Sequence, residues 1–411
     1  MPATGTSQPA TSTAEAYPIP VEPRTRRLES IDILRGLLMI LMALDHTREY
    51  FSAYRINPLS PQDSWPALYL TRWVTHLCAP GFIALAGASV YLQRQRGKTP
   101  AQLSRLLVTR GLWLIFLEVT LISFAWTFIF PAPILQVIWA IGVCMVGLAA
   151  LMRLPTAAIG AIGALIVLLH NLLDPIAADS LGRFANLWKI LHQTGMLLVH
   201  GRPVAFAFYP VLAWFGVICL GYAFGPVAAS EPHRRRRISL ILAACFLAAF
   251  TLLRLINHYG DDIKFQHFAT STQTLMSFFN VEKYPPSLEY VLITFAVLLL
   301  LYVLFDTAVT KAWLPRLRSF IETYGRVPFF YYVPHIYLIH GAALLASMAL
   351  GQNWHYWVGP AFFLQGDPPG WGVRLVGIYC IWIAVVLTLY LPCLWFSRLK
   401  ARRRDWWLSY L

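Results

Sequence analysis

Residues 28–51 read LESIDILRGLLMILMALDHTREYF, and the rest of the chain is organised around them. The stretch opens on Ser30 and Asp32, just after Arg24, Arg26 and Arg27, runs through apolar residues, and stops abruptly on Asp45, His46 and Arg48. A helix rises ~1.5 Å per residue, so about 20 residues cross a hydrocarbon core of ~30 Å. Residues 31–51 are long enough to be such a crossing. Basic residues collect on the cytoplasmic side of membrane helices, so the start of this helix is expected inside and Asp45 and His46 near the far interface. Ionisable side chains at the end of a membrane helix are costly unless they face protein or water, which makes this end a candidate site.

Composition supports a membrane reading. Of 411 residues, 58% are hydrophobic and only 13% charged, with a mean hydropathy of +0.57, which excludes an ordinary soluble enzyme. The expected fold class is therefore all-α: a polytopic bundle of about ten transmembrane helices. The formal net charge of +14 could suggest nucleic acid, but the basic residues fall in short loops on one side and no recognition module accompanies them. No nucleic-acid partner is expected; membrane lipids are. The six cysteines lie in apolar segments without CxxC or Cys/His spacing, so they are read as small buried hydrophobes and no metal is expected from them. Residues 1–26, rich in Pro, Ser, Thr and Ala, read as a disordered cytoplasmic tail without the apolar core of a cleaved signal, 27–400 as the membrane domain and 401–411 as a basic cytoplasmic tail.

After the first helix, further apolar segments occupy about 71–93, 106–127, 134–152, 156–173, 204–224, 238–258, 286–305, 327–350 and 373–396. Residues 187–200 are expected to lie along the interface as an amphipathic segment. With ten crossings and both termini inside, the arginine run at 234–237, Lys311, Arg316, Arg318 and Arg326 fall in inner loops. The outer loops then hold Asp63, Asp174, Asp179, Asp261, Asp262, Glu282 and Asp367. No tandem or inverted repeat stands out, which counts against a secondary transporter.

Under that topology the polar residues collect at one end. His46, Arg72, His76, Gln136, His170, Arg254, Asn257 and His258 belong to outer ends, while Glu118, His335 and His340 sit deeper. Arg72 with His76 and Arg254 with His258 are spaced i,i+4 and share a helix face; Asp45 and Arg48, at i,i+3, can pair. Asp45 and His46 are about 100° apart on a helix, so a carboxylate orienting His46 must come from elsewhere, with Glu118 the candidate. Histidine suits proton transfer near neutral pH, and histidine with arginine in a dry pocket supplies both the base and the oxyanion donors that acyl transfer needs. His46 is the first choice for general base. His76 with Arg72 and His258 with Arg254 would bind or polarise the acceptor or the acyl carbonyl, and Asp45, Arg48, Glu118, Gln136, Asn257 and His340 complete the candidate set. Asp32 and Arg35 read as capping and pairing, and His335 as a packed, hydrogen-bonded residue. Two other classes use the same residues: a proton-coupled transporter or lipid-handling protein, and a haem protein ligated through His76 and His258.

RLESIDILRGLLMILMALDH at 27–46, with its Asp–x–x–Arg–Gly start, resembles the opening helix of the heparan-alpha-glucosaminide N-acetyltransferase catalytic-domain family, part of a wider group of transmembrane acyltransferases. THLCAPGFIALAGAS at 75–89, FGVICLGYAFG at 215–225 and YGRVPFFYYVPHIYLIH at 324–340 are similar to later family segments, so the resemblance covers most of 27–400. It implies acetyl-CoA as acyl donor, drawn from the cytosol, and transfer through a histidine to an amino sugar or other glycan on the far side. In the eukaryotic enzyme the active histidine follows this helix; residues 52–70 contain none here, and His46 matches the histidine that ends the first helix in the wider group. The expected protein is a multi-pass acyltransferase of the bacterial inner membrane, with a second copy of the chain as a candidate partner in a homo-oligomer.

Overall fold

The structure, a computed structural model, describes residues 28–130, 133–359 and 368–403 together with 405 and 408. The N-terminal tail with its arginines, Asp367 and most of the 401–411 tail lie outside the described residues.

Among the described residues, ten long helices form the bundle: α1 Glu29–Phe51, α2 Pro66–Gln95, α3 Pro100–Thr127, α4 Val137–Leu151, α5 Thr156–Leu173, α6 Val211–Ala228, α7 Pro232–Ile256, α8 Leu288–Thr310, α9 Pro328–Ala349 and α10 Leu375–Arg402. Eight are long and apolar enough to cross a membrane; α4 is shorter, and α1 carries six charged side chains, which its packing explains. The all-α polytopic bundle is what the sequence led us to expect. Its outward surface carries Leu112, Phe116, Leu165, Leu252 and Leu391, the residues a lipid-facing surface requires.

The helix ends follow their sequence. Thr99 and Gln102 form a reciprocal capping box at α3, and Ser287 caps α8 through the Tyr290 amide. Pro80 has no N–H to offer the His76 carbonyl, and α2 tightens into a 3-10 turn at Val74–Leu77; the Tyr290 hydroxyl donates to the freed His76 oxygen at 2.7 Å. In α3 a π-helical turn at Glu118–Ile122 widens the helix.

α1 is buried because a helix outside the ten, Pro315–Arg326, crosses it at backbone contact. Asp32 and Arg35 pair at 3.0 Å, and Arg35 also donates to the Gly325 carbonyl and to Ser89 Oγ, both at 3.2 Å. Thus Asp–x–x–Arg–Gly ties α1 to α2 and to the crossing helix, and pairing is its role. At the same end of the bundle, Arg235 and Arg236 of α7 both pair with Asp306 of α8.

The 187–200 segment divides into the end of a helix, Ala185–Leu191, and a strand, β2, Gly195–Val199. Two expectations are corrected. The sixth helix starts at Val211 rather than near 204, because Arg202–Ala207 is strand β3, antiparallel to β2 and parallel to β1, Ile134–Leu135. The loop between the eighth and ninth crossings is the helix Pro315–Arg326.

At the end where α7 finishes, Arg254 is fully buried. It donates to Glu289 Oε2 at 2.9 Å and to the carbonyls of Phe278, Ile263, Ser277 and Asn280. This knot holds the 263–280 connection on α7 and α8. Arg254→Ala would strand the Glu289 carboxylate and four carbonyls, and we expect a loss of about 3–5 kcal/mol, read as a lowered unfolding midpoint in detergent.

Candidate functional site

A cavity of about 560 Å³ opens where α1 ends, α2 begins and the loops before α6 and α8 come together. α1 contributes Asp45, His46, Arg48 and Glu49; α2 contributes Arg72 and Thr75. Asp45 bridges the two helices: Arg48 reaches one carboxylate oxygen at 3.1 Å and Arg72 the other at 3.3 Å. Arg72 also donates to Thr75 Oγ1 at 2.7 Å, the i,i+3 reach that a 3-10 turn favours. Gln136 lines the cavity from the start of α4. Asp45 and His46 both line it without touching each other, as their offset on the helix requires.

His46 Nδ1 lies 2.7 Å from Nε2 of His335 on α9, the two rings stacked and Trp126 edge-on to His46. His335 Nδ1 faces the Tyr331 carbonyl at 3.2 Å. A carbonyl only accepts, so His335 donates through Nδ1 and receives through Nε2; His46 then donates through Nδ1 and keeps the lone pair on Nε2. With Nδ1 committed to His335, the remaining nitrogen is the one available to the cavity that the ring lines. The His46 ring is thus oriented by a second histidine.

Glu118 does not have that role. Its Oε2 accepts from the Trp139 amide at 2.9 Å, so it caps the first turn of α4. We expect Glu118→Gln, which keeps an acceptor there, to hold activity within a few-fold; a fall of about 100-fold or more would restore it as the partner of a catalytic base.

Other expected residues stand apart from the cavity. His76 is buried against Tyr290, His258 is exposed beyond α7, and Asn257, in the left-handed conformation, closes the turn with Phe265. Arg254 belongs to the structural knot, and His258 does not share its face because α7 ends at Ile256. His340 lies between the Ala125 and Trp357 carbonyls, each at 2.7 Å, with Phe128 stacked on it. A buried His76 and an exposed His258 do not form a haem pair.

Sequence reasoning missed Lys283, Tyr284 and Tyr209. Lys283 is buried in the cavity wall, its ammonium 4.8 Å from the Tyr284 ring centre. Burial pushes the Tyr209 phenol well above its usual value, so it stays protonated and able to donate. The available signal was a lysine next to a tyrosine and two prolines in an outer loop (NVEKYPPS, 280–287). With Arg48, Arg55, Arg72 and Lys283 against Asp45 and Glu49, the cavity carries four cations and two carboxylates.

A second cavity, of about 340 Å³, lies toward the end where α1 begins. Arg35, Arg110, Arg326 and Lys400 are among its lining residues, and Phe82, Val137 and Tyr332 line both cavities.

The model of the heparan-alpha-glucosaminide N-acetyltransferase catalytic family matches residues 27–258, more than half of the chain. The chain belongs to that family. A comparison with curated proteins finds no match. The family match takes in α1 to α7, with His46, Arg72 and Gln136; His335 and Lys283, supplied by later segments, lie beyond it. The chain is thus an integral membrane member of this acetyltransferase family.

Proposed function

We propose that the chain is a membrane acyltransferase that moves an acetyl or related acyl group from acyl-CoA to an amino sugar or other glycan, with His46 as general base. What carries the reading is the His335–His46 chain, which leaves a basic imidazole nitrogen beside a cavity rich in cations, next to a second cavity with a basic lining. The acyl-CoA would bind in the second cavity, its phosphates against Arg110, Arg326 and Lys400, with the thioester reaching the level of Phe82, Val137 and Tyr332. The acceptor would enter the first cavity. On the positions of the basic flanks we read the second cavity as facing the cytoplasm and the first as facing the exterior, with the chain in a bacterial cytoplasmic membrane.

In the reaction, the acceptor amine or hydroxyl attacks the thioester carbon as His46 Nε2 takes its proton. The oxyanion that forms draws on Arg72, Lys283 and the neutral Tyr209 hydroxyl as donors. Collapse breaks the carbon–sulfur bond; the thiolate leaves and recovers the proton from His46, giving free CoA thiol and acylated acceptor. His335 shares the charge of the imidazolium through its hydrogen bond.

The test is thiol release by purified protein from acetyl-CoA in the presence of amino sugars and glycan fragments. Acceptor-dependent release supports the reading. Saturable uptake of a sugar into proteoliposomes, with no acyl-CoA consumed across the panel, would replace it with the transporter reading.

A further inference from the structure

A second cluster of histidines lies away from both cavities, where α5 ends and the Ala185–Leu191 helix turns back toward the bundle. His170, Asp174 and His192 each offer one ligand atom, and these atoms lie within 4.8 Å of one another. None of the three lines either cavity. His192 Nε2 meets Asp174 Oδ1 at 2.9 Å, and Asn171 donates to the other Asp174 oxygen at 2.8 Å. His170 is 2% exposed and neither of its ring nitrogens has a partner; His192 is 3% exposed and its Nδ1 has none. The two imidazoles meet edge to face, with centres 5.7 Å apart.

A neutral imidazole carries one N–H and one lone pair, and burying both unsatisfied costs the hydration of each. His170 bears that cost with one edge turned toward a carboxylate and a second imidazole. An ion would use these lone pairs. We propose that His170, Asp174 and His192 form a binding site for a divalent transition metal of the zinc class. Two imidazole nitrogens and one carboxylate oxygen suit zinc, whereas calcium and magnesium take oxygen sets. Zn–N and Zn–O bonds of ~2.0–2.2 Å put tetrahedral ligands roughly 3.4 Å apart, so the ligands close by about 1 Å on binding, with water in the fourth position. Asn171 would orient the Asp174 carboxylate, as outer-shell partners of metal ligands do. Asn171 Oδ1 also accepts from the Leu288 amide at 2.9 Å, which connects the site to the start of α8. The metal would therefore staple the end of α5 to the 178–192 connection and steady the entry of α8.

The experiment uses full-length protein carrying an affinity tag without histidine, stripped with a chelator and titrated with Co²⁺ and then Zn²⁺. We expect one equivalent of Co²⁺ to bind with the visible ligand-field bands of a low-symmetry site, and Zn²⁺ to displace it. We also expect Zn²⁺ to raise the unfolding midpoint of the wild type. The double variant His170→Ala/His192→Ala should lose the bands and the shift. Full binding by a folded double variant would place the metal elsewhere and overturn the proposal. So would a wild type that takes up less than about 0.1 equivalent at micromolar free zinc, a result that needs no variant.

Discussion

Alanine at position 46 should lower acceptor-dependent thiol release by about 100-fold to 10,000-fold, the range that a positioned base contributes. The loss should fall on kcat, because the ring meets the proton in flight and not the CoA moiety. His335→Ala separates orientation from chemistry. His335 touches His46 and the Tyr331 carbonyl, so it is a positioning residue: its removal frees the His46 ring to rotate and leaves Nδ1–H without its acceptor. We expect kcat to fall about tenfold or more, the KM for acetyl-CoA to stay constant, and the pH profile of kcat to move as the imidazolium loses its partner. Unchanged kcat in His46→Ala would remove the base. A His335→Ala variant with normal kcat and an unshifted profile would show that the hydrogen bond only packs.

The second large effect is on folding. A Cβ built on Gly36 would stand 1.9 Å from the Ile321 carbonyl oxygen, and one built on Gly325 1.8 Å from that of Asp32. Both obstacles are backbone, so neither can be relieved by a rotamer change. The helices must separate, and the Arg35 contacts to Gly325 and Ser89 go with them. Overpacking costs ~1–3 kcal/mol where side chains can adjust, and we expect more than that for Gly36→Ala or Gly325→Ala. The outcome is loss of monodisperse protein in detergent. Gly341, with nothing within 4 Å of its added Cβ, is the control: alanine there should be neutral or gain up to ~1 kcal/mol from helix propensity. If Gly36→Ala and Gly341→Ala melted alike, the close crossing would not be what holds α1.

The ten helices were legible because each is a long apolar run ended by charge or proline. Strand β3 was not, since Val204–Ala207 continues into the apolar run of α6 without a polar break. The helix Pro315–Arg326 looked like a basic loop, and only the paired close approaches at Gly36 and Gly325 give it away. In the cavity, Asp45, His46 and Arg48 came from the end of α1, which was read at Phe51 where it lies; Arg72 and Gln136 were found although α2 begins at Pro66, five residues before the expected start, and α4 at Val137, after β1. His76 failed through phase: the i,i+4 argument assumes 3.6 residues per turn, whereas the 3-10 turn ahead of Pro80 brings Thr75 rather than His76 beside Arg72. His258 failed because Asn257 leaves the helix. His335 and His46 were both named, but their pairing was not legible, because 289 residues separate them and only the packing of α9 on α1 joins them.

Phe82, Val137 and Tyr332 line both cavities, and in the proposed reaction donor and acceptor approach this wall from opposite faces of the membrane. Proteoliposomes test it without sorting protein orientation. Labelled acetyl-CoA outside with an impermeant amino sugar trapped inside should yield acetylated sugar in the lumen, while donor and acceptor both outside should yield none. Product formed with both outside, and none with the sugar trapped, would contradict the two-sided site.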